Sequence, residues 1–298
     1  MSDHAARVAA IVQAHAHLAL PLSGAAEPVF TSQAYVYQAA KAACIALGFI
    51  DQDAEYVANA WQAMAERKGS FDATEWPADP QDFCLRTAPH AGAFAPCPLH
   101  LGLYAVLPDA AWVGRMARAG VPTVQLRFKS DNPQLIEQEV QAAVEAVQGT
   151  SALLFINDHW QAAMRAGAYG VHLGQEDMEV ADLQAMQQAG LRLGLSSHGY
   201  AEMLRAAAFS PSYIALGAVF PTTLKRMATA PQGLGRLAAY VRLMCAYPLV
   251  AIGGIDESNL PQVLATGVGS VAMVRALTAA DNPELTAAQM QSIMRSAV

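Results

Sequence analysis

The sequence predicts an α/β protein: a closed (β/α)₈ barrel preceded by a small helical N-terminal region. Three observations predict it. From Leu101 onward, eight short apolar runs alternate with eight stretches of helical spacing. Polar and charged residues gather at the C-terminal ends of those runs, where barrels of this kind carry their active sites. The first run ends in Leu107-Pro108-Asp109, without the glycine-rich turn that a doubly wound dinucleotide-binding sheet, the main alternative, places there.

Residues 1–98 have a different texture. Ala-rich stretches at 33–48 and 52–67 have helical spacing, with Gly48 as the stop between them. Five prolines, Pro77, Pro80, Pro89, Pro96 and Pro98, make 69–98 loop-like, a tether to a barrel over 99–298. His4, His15 and His17 read as surface residues, and no catalytic constellation is visible in this part. Gln13, His15 and His17 interrupt the first apolar stretch, so it makes a poor signal peptide, and no segment is long and apolar enough to span a membrane.

In the barrel the strands are expected at 102–107, 123–128, 152–157, 170–174, 192–197, 213–219, 248–253 and 270–274. The helices fall at 110–119, 133–148, 160–167, 179–189, 200–208, 234–245, 258–266 and near 283–296. With 54% hydrophobic and 14% charged residues in 298, a large core is available and disorder is not indicated. A net charge of -7 argues against non-specific nucleic-acid binding but says nothing against a phosphate ligand, because site charge is local. Cys44, Cys84, Cys97 and Cys245 form no CxxC pair, and Cys84, Cys97, His90 and His100 lack regular zinc spacing. Free thiols in a reducing cytoplasm are the expectation.

The chemistry is expected at the strand ends. In 123–129, TVQLRFK, alternation puts Gln125, Arg127 and Lys129 on one face. In a barrel that face points inward and upward, where two cations need an anion or an internal partner. Asn157 and Asp158 end the third strand and Asp177 follows the fourth. Asp158 precedes a helix and could serve only as its N-cap. Paired with Asp177, it offers two hard oxygen ligands for magnesium, with phosphate oxygens and water completing the shell. Ser196, Ser197 and His198 end the fifth strand, and His198 reads as a packed histidine more than an acid or base. Thr222, Thr223 and Lys225 follow the sixth strand, and all suit phosphate. Gly253 and Gly254 after the seventh allow backbone N–H groups to approach an anion, and Val274 and Arg275 end the eighth. Two anion-binding regions emerge, which two phosphorylated substrates would explain.

The pieces VQLRFK, FINDHW, GVHLGQED, GLSSHG, ALGAVFPTTLK, AIGGI and VAMVRAL, in that order, resemble the thiamine-phosphate synthase family over about residues 101–298. The resemblance implies a TIM barrel, a transferase that joins hydroxymethylpyrimidine diphosphate to a phosphorylated thiazole, and a magnesium cofactor. It implies that Gln125 faces the pyrimidine and that Arg127, Lys129, Asn157, Ser196 and Lys225 hold diphosphate. Asp158 and Asp177 would bind magnesium, and Thr222, Gly254, Val274 and Arg275 would border the thiazole phosphate. Arg127, Lys129, Asn157 and Lys225 are the residues it ties most closely to the chemistry. Two positions depart from the family: Leu224 stands where a second Thr is usual, and Arg275 where many members have Ser. A tautomerase-like paralogue would lose the charged set, and a non-catalytic thiamine-pathway sensor would not need to place magnesium on a leaving group. Residues 1–98 lie outside the resemblance and are expected to be an interaction or oligomerisation appendage.

Overall fold

Eight parallel strands close into a barrel in sequence order, in a computed structural model that describes residues 3–21, 27–86, 92–222 and 229–296. They are β1 (Gly102–Leu107), β2 (Thr123–Leu126), β3 (Leu153–Asn157), β4 (Gly170–Leu173), β5 (Arg192–Ser197), β6 (Tyr213–Leu216), β7 (Leu249–Ile252) and β8 (Ser270–Met273). Each pairs with its neighbour, and Gly102 of β1 meets Ser270 of β8 to close the ring. The helices are α1 (Asp3–Ala14), α2 (Tyr35–Ala46), α3 (Asp51–Lys68), α4 (Ala110–Arg118), α5 (Pro133–Ala146) and α6 (Trp160–Ala166). They continue with α7 (Leu183–Gln188), α8 (Tyr200–Ala208), α9 (Gly233–Leu243), α10 (Leu260–Leu264), α11 (Arg275–Thr278) and α12 (Pro283–Ser296). Among the described residues no helix is long and apolar enough to cross a membrane.

Alternation along the strands makes two cores. Tyr104, Val106, Phe155, Tyr213, Ala215, Val250 and Ala272 point inside and pack together. Leu103, Ala105, Val124, Ile156, Val171, Leu195 and Ile214 point outward against the helices. Local chemistry sets the helix starts: Asp109 caps α4, and Asn132 with Pro133 opens α5. The helix expected at 179–189 is broken in two. A 3₁₀ turn occupies Asp177–Glu179, and α7 starts only at Leu183, because Asp182 accepts from the Ala185 N–H and nucleates a new helix. The strands expected over 123–128 and 213–219 stop at Leu126 and Leu216, where the chain turns onto the barrel mouth.

The N-terminal helices lie against the outside of the barrel, and their apolar residues belong to the same cluster as its outer wall. α1, which the sequence reading did not anticipate, packs on α2, and α3 packs on both α2 and α8. His15, expected at the surface, is 4% exposed. Its Nε2 lies 3.1 Å from the Ala73 carbonyl, and its ring meets Trp61 and Trp76 edge-on, so burial lowers its pKa. A polar ring packed between two indoles was not visible from the single sequence. The described parts of the coil over 69–98 are tied down at several points. Trp76 donates to Tyr200 Oη at 2.9 Å, Phe83 stacks on the Tyr200 ring, and the carbonyls of Ala93 and Ala95 accept from Gln187 and Ser212.

Candidate active site

The C-terminal ends of the strands surround a cavity of about 660 Å³ that reaches down into the barrel. β2 delivers Gln125, Arg127 and Lys129 to its wall, and β3 delivers Asn157 and Asp158. Asp177 comes from the 3₁₀ turn after β4, and Ser196, Ser197 and His198 from the end of β5. Thr222, Gly254, Val274 and Arg275 line the opposite part, beyond β6, β7 and β8. Every candidate site residue among the described ones therefore lies on one cavity. Thr223, Leu224 and Lys225 fall outside the described residues.

Asp158 is held in the left-handed region at φ 62°. Its Oδ2 accepts from Lys129 Nζ at 2.6 Å. The residue that precedes α6 is His159, whose side chain makes no capping bond. The Asp158 carboxylate thus serves the cavity and its cation, and the simple N-cap reading does not describe it. Asp177 keeps one oxygen on the Gly174 N–H at 3.0 Å, which steadies its carboxylate at the rim. Two carboxylates from successive strand ends beside Lys129 and Arg127 form a place where metal and anion can meet. Asn157 is 8% exposed, and it lines the cavity. Gly254, at φ 65°, packs against the Pro221 carbonyl so closely that a Cβ would meet it at 2.6 Å. Only glycine brings that backbone to the cavity.

The floor holds a chain of hydrogen bonds that the sequence reading missed. Gln125 donates to Tyr104 Oη at 2.9 Å, and the Tyr104 and Tyr213 hydroxyls are 2.7 Å apart. Tyr213 Oη lies 2.7 Å from His172 Nδ1, and His172 Nε2 lies 2.8 Å from Ser196 Oγ. Burial pushes both phenols well above their ordinary pKa, so they stay neutral hydroxyls. Five polar side chains from β1, β2, β4, β5 and β6 therefore run in one connected path across the cavity floor. Ser197, by contrast, donates to the Ala215 carbonyl at 2.9 Å and acts within the sheet. His198 both packs and faces the cavity, its Nδ1 held 2.6 Å from Glu202 Oε2.

Comparison with known proteins bears on this geometry. The family model of thiamine monophosphate synthase matches residues 103–277. A thiamine-phosphate synthase of Neisseria meningitidis serogroup B is 56% identical over 200 residues, covering 67% of this chain and 98% of that relative. One from Yersinia pestis is 53% identical over 190 residues, covering 64% of this chain and 88% of the relative. Among solved structures, a thiamine phosphate pyrophosphorylase from Pyrococcus furiosus superimposes with a TM-score of 0.61 at 27% identity. That match covers 66% of this chain and 97% of the other.

Proposed function

The chain belongs to the thiamine monophosphate synthase family and is a transferase that makes thiamine phosphate; on that premise we propose how its residues divide the reaction. The substrates are hydroxymethylpyrimidine diphosphate and a phosphorylated thiazole, and the second product is diphosphate. One observation carries the reading: Arg127, Lys129, Asn157, Asp158 and Asp177 share a single cavity with Ser196, Thr222, Gly254, Val274 and Arg275. That cavity offers a cationic, carboxylate-bearing side for a diphosphate with its metal and a hydroxyl-and-backbone side for a second phosphate. Residues 99–298 are the catalytic barrel and 1–98 an extension to it, and the four free thiols fit a cytoplasmic enzyme.

The donor set suits magnesium, which typically takes one or two carboxylates beside phosphate oxygens and water. Asp158 and Asp177 would hold it, and once bound it supplies positive charge to the departing diphosphate. The protein does the rest by placement. Arg127 and Lys129, with Lys225, neutralise charge that grows on diphosphate as its C–O bond breaks. The Asn157 amide and the Ser196 hydroxyl donate to its oxygens. Gln125, fixed by Tyr104, meets the pyrimidine ring, and the apolar interior keeps water from the pyrimidine-methyl cation. Thr222 and the backbone at Gly254, Val274 and Arg275 hold the thiazole phosphate so that the ring nitrogen can attack in line.

The test is direct. Purified protein, magnesium and both substrates should yield thiamine phosphate and diphosphate in equal amounts. Asp158→Ala should keep the fold by circular dichroism and lose about 100-fold or more in kcat. Ligand binding without product would make the protein a sensor, and near-normal turnover in Asp158→Ala would remove the metal role.

A further inference from the structure

Three of the helices that start at this rim carry their own cap. Asp109 caps α4, Asn132 caps α5 and Asp182 caps α7, each from the position just before its helix. Helix α8 does not. The residue before it is Gly199, which has no side chain to offer. The acceptor comes from the N-terminal extension, 148 residues away in sequence: Asp53, in the first turn of α3, takes the Ala201 N–H on Oδ1 at 2.8 Å. Asp53 is 3% exposed, and a Cβ at position 199 would run into its carboxylate. The backbone at Gly199 is extended, at φ 177°, and would admit any residue, so glycine is there to leave room for Asp53.

The cap reaches the active site through three residues. Glu202, at the third position of α8, accepts the His198 N–H at 2.9 Å and lies 2.6 Å from His198 Nδ1. It thereby satisfies the N–H of the residue just before the N-cap position. Asp53 satisfies the Ala201 N–H, from outside the barrel domain. Ser196, Ser197 and His198, all on the cavity wall, lead directly into this first turn. The extension grips the neighbouring helix too. Arg236 of α9 donates to the Leu18 and Leu47 carbonyls, each at 3.0 Å, and lies over the Phe49 ring. From α2 Cys44, from α8 Tyr200 and Glu202, and from α9 Arg236 and Tyr240 surround Asp53 electrostatically.

We propose that Asp53 is a positioning residue for the reaction: by capping α8 from the N-terminal extension, it fixes the β5 rim that receives the diphosphate. The extension is then part of the catalytic apparatus. The proposal rests on the assignment of diphosphate to the Ser196 side of the cavity. Its ionised carboxylate also suits the positive end of α8. Burial raises its pKa to about 6, against the lowering by the Ala201 N–H and Arg236, so the charge is largely present at neutral pH.

Full-length variants test this. Asp53→Ala is expected to raise KM for the pyrimidine diphosphate about fivefold or more while KM for the thiazole phosphate stays within about twofold. The double variant Asp53→Ala/Gly199→Ser returns the cap to its usual place in the space vacated, and KM should return to within about twofold of the parent. The His198 ring resonances, assigned with His198→Gln, should move in Asp53→Ala and move back in the double variant. If Asp53→Ala does not fold, Asp53→Asn removes the charge alone and should raise the same KM about threefold. Unchanged His198 resonances with unchanged KM in a folded variant, or no recovery in the double variant, would overturn the proposal. Resonances that move and recover while KM stays constant would uphold the brace and refute the placing of diphosphate on this rim.

Discussion

Tyr213 carries more of the site than its place in an apolar strand suggests. Its hydroxyl lies between Tyr104 Oη and His172 Nδ1, and the residue is fully buried. Tyr213→Phe keeps the ring and leaves both neighbours short of a buried partner, which costs roughly 1–3 kcal/mol. The expected outcome is a drop of about tenfold in kcat/KM with the pyrimidine diphosphate varied, measured at saturating thiazole phosphate. An unchanged value would mean that the path across the floor is structural only. Arg275 gives a second prediction at this scale. It stands on the cavity wall, and Arg275→Ser should raise KM for the thiazole phosphate about fivefold by removing a charge-assisted contact. The charged residues of the site were legible because an Arg, a Lys or an Asp at a strand end has no core reading. Tyr104, His172 and Tyr213 were not, because LGLYAVL, GVHL and YIAL look like plain interior strands. Their one signal was polar-headed side chains at inward positions of several strands, which becomes visible only when the strands are closed into a ring.

Pairs of elements are set by close packing, and β5 against β6 shows how closely. Gly194 of β5 leaves the space that the Tyr213 ring of β6 fills, and a Cβ there would collide with the ring. Gly194→Ala is expected to destabilise by about 1–3 kcal/mol, read by urea unfolding, and to displace the floor tyrosine, so activity falls with stability. The α2–α3 pair depends instead on a partly buried ionic knot. Glu55 of α3 accepts from Lys41 at 2.7 Å, Tyr37 at 2.5 Å and Thr31 at 2.6 Å. Burial alone would raise the Glu55 pKa, but hydrogen bonds from Lys41, Thr31, Tyr37 and Asn59 together outweigh it and bring it from 4.5 to about 2. A carboxyl whose folded pKa is depressed stabilises the protein above its unfolded value and loses that contribution as pH falls through the folded value. The melting temperature should therefore drop more steeply between pH 4.5 and about 2 in the parent than in Glu55→Gln, and the gap between them should close as the medium is acidified. Equal slopes would show that the knot does not form. Element types were legible from periodicity in the barrel, because each strand is short, apolar and bounded by a turn. Ends were less so: nothing in the sequence says that Asp182 starts a fresh helix, since an Asp in mid-helix and an Asp at a cap look alike until the Ala185 N–H is seen bonded to it.

The extension and the barrel are expected to unfold as one cooperative body, although the sequence changes character near residue 98. Ile11, Val36, Trp61, Phe49 and Trp76 from the extension share a continuous core with Tyr200, Met203, Leu237 and Tyr240 of the barrel. Composition made the extension look separate, because Ala-rich helices and a proline-rich coil resemble an appendage. What joins them is carried by single buried residues that no pattern announces. Arg236 sits 3% exposed on α9 with its guanidinium on extension carbonyls, and Asp53 of α3 accepts the Ala201 N–H of α8. Differential scanning calorimetry of the full chain should accordingly give one transition, with the calorimetric and van't Hoff enthalpies equal. Residues 99–298 alone should melt at a lower temperature or aggregate. Removal of 1–98 uncovers the outer faces of α8 and α9 and leaves the Arg236 fork without the Leu18 and Leu47 acceptors. The Neisseria meningitidis relative is matched over 98% of its own length by 200 residues of this chain, so it has no comparable extension. The comparison therefore isolates what this chain has done with its extra helices. Two separated transitions in the full chain, the later one matching the melt of 99–298, would show that the extension is only docked on a self-sufficient barrel.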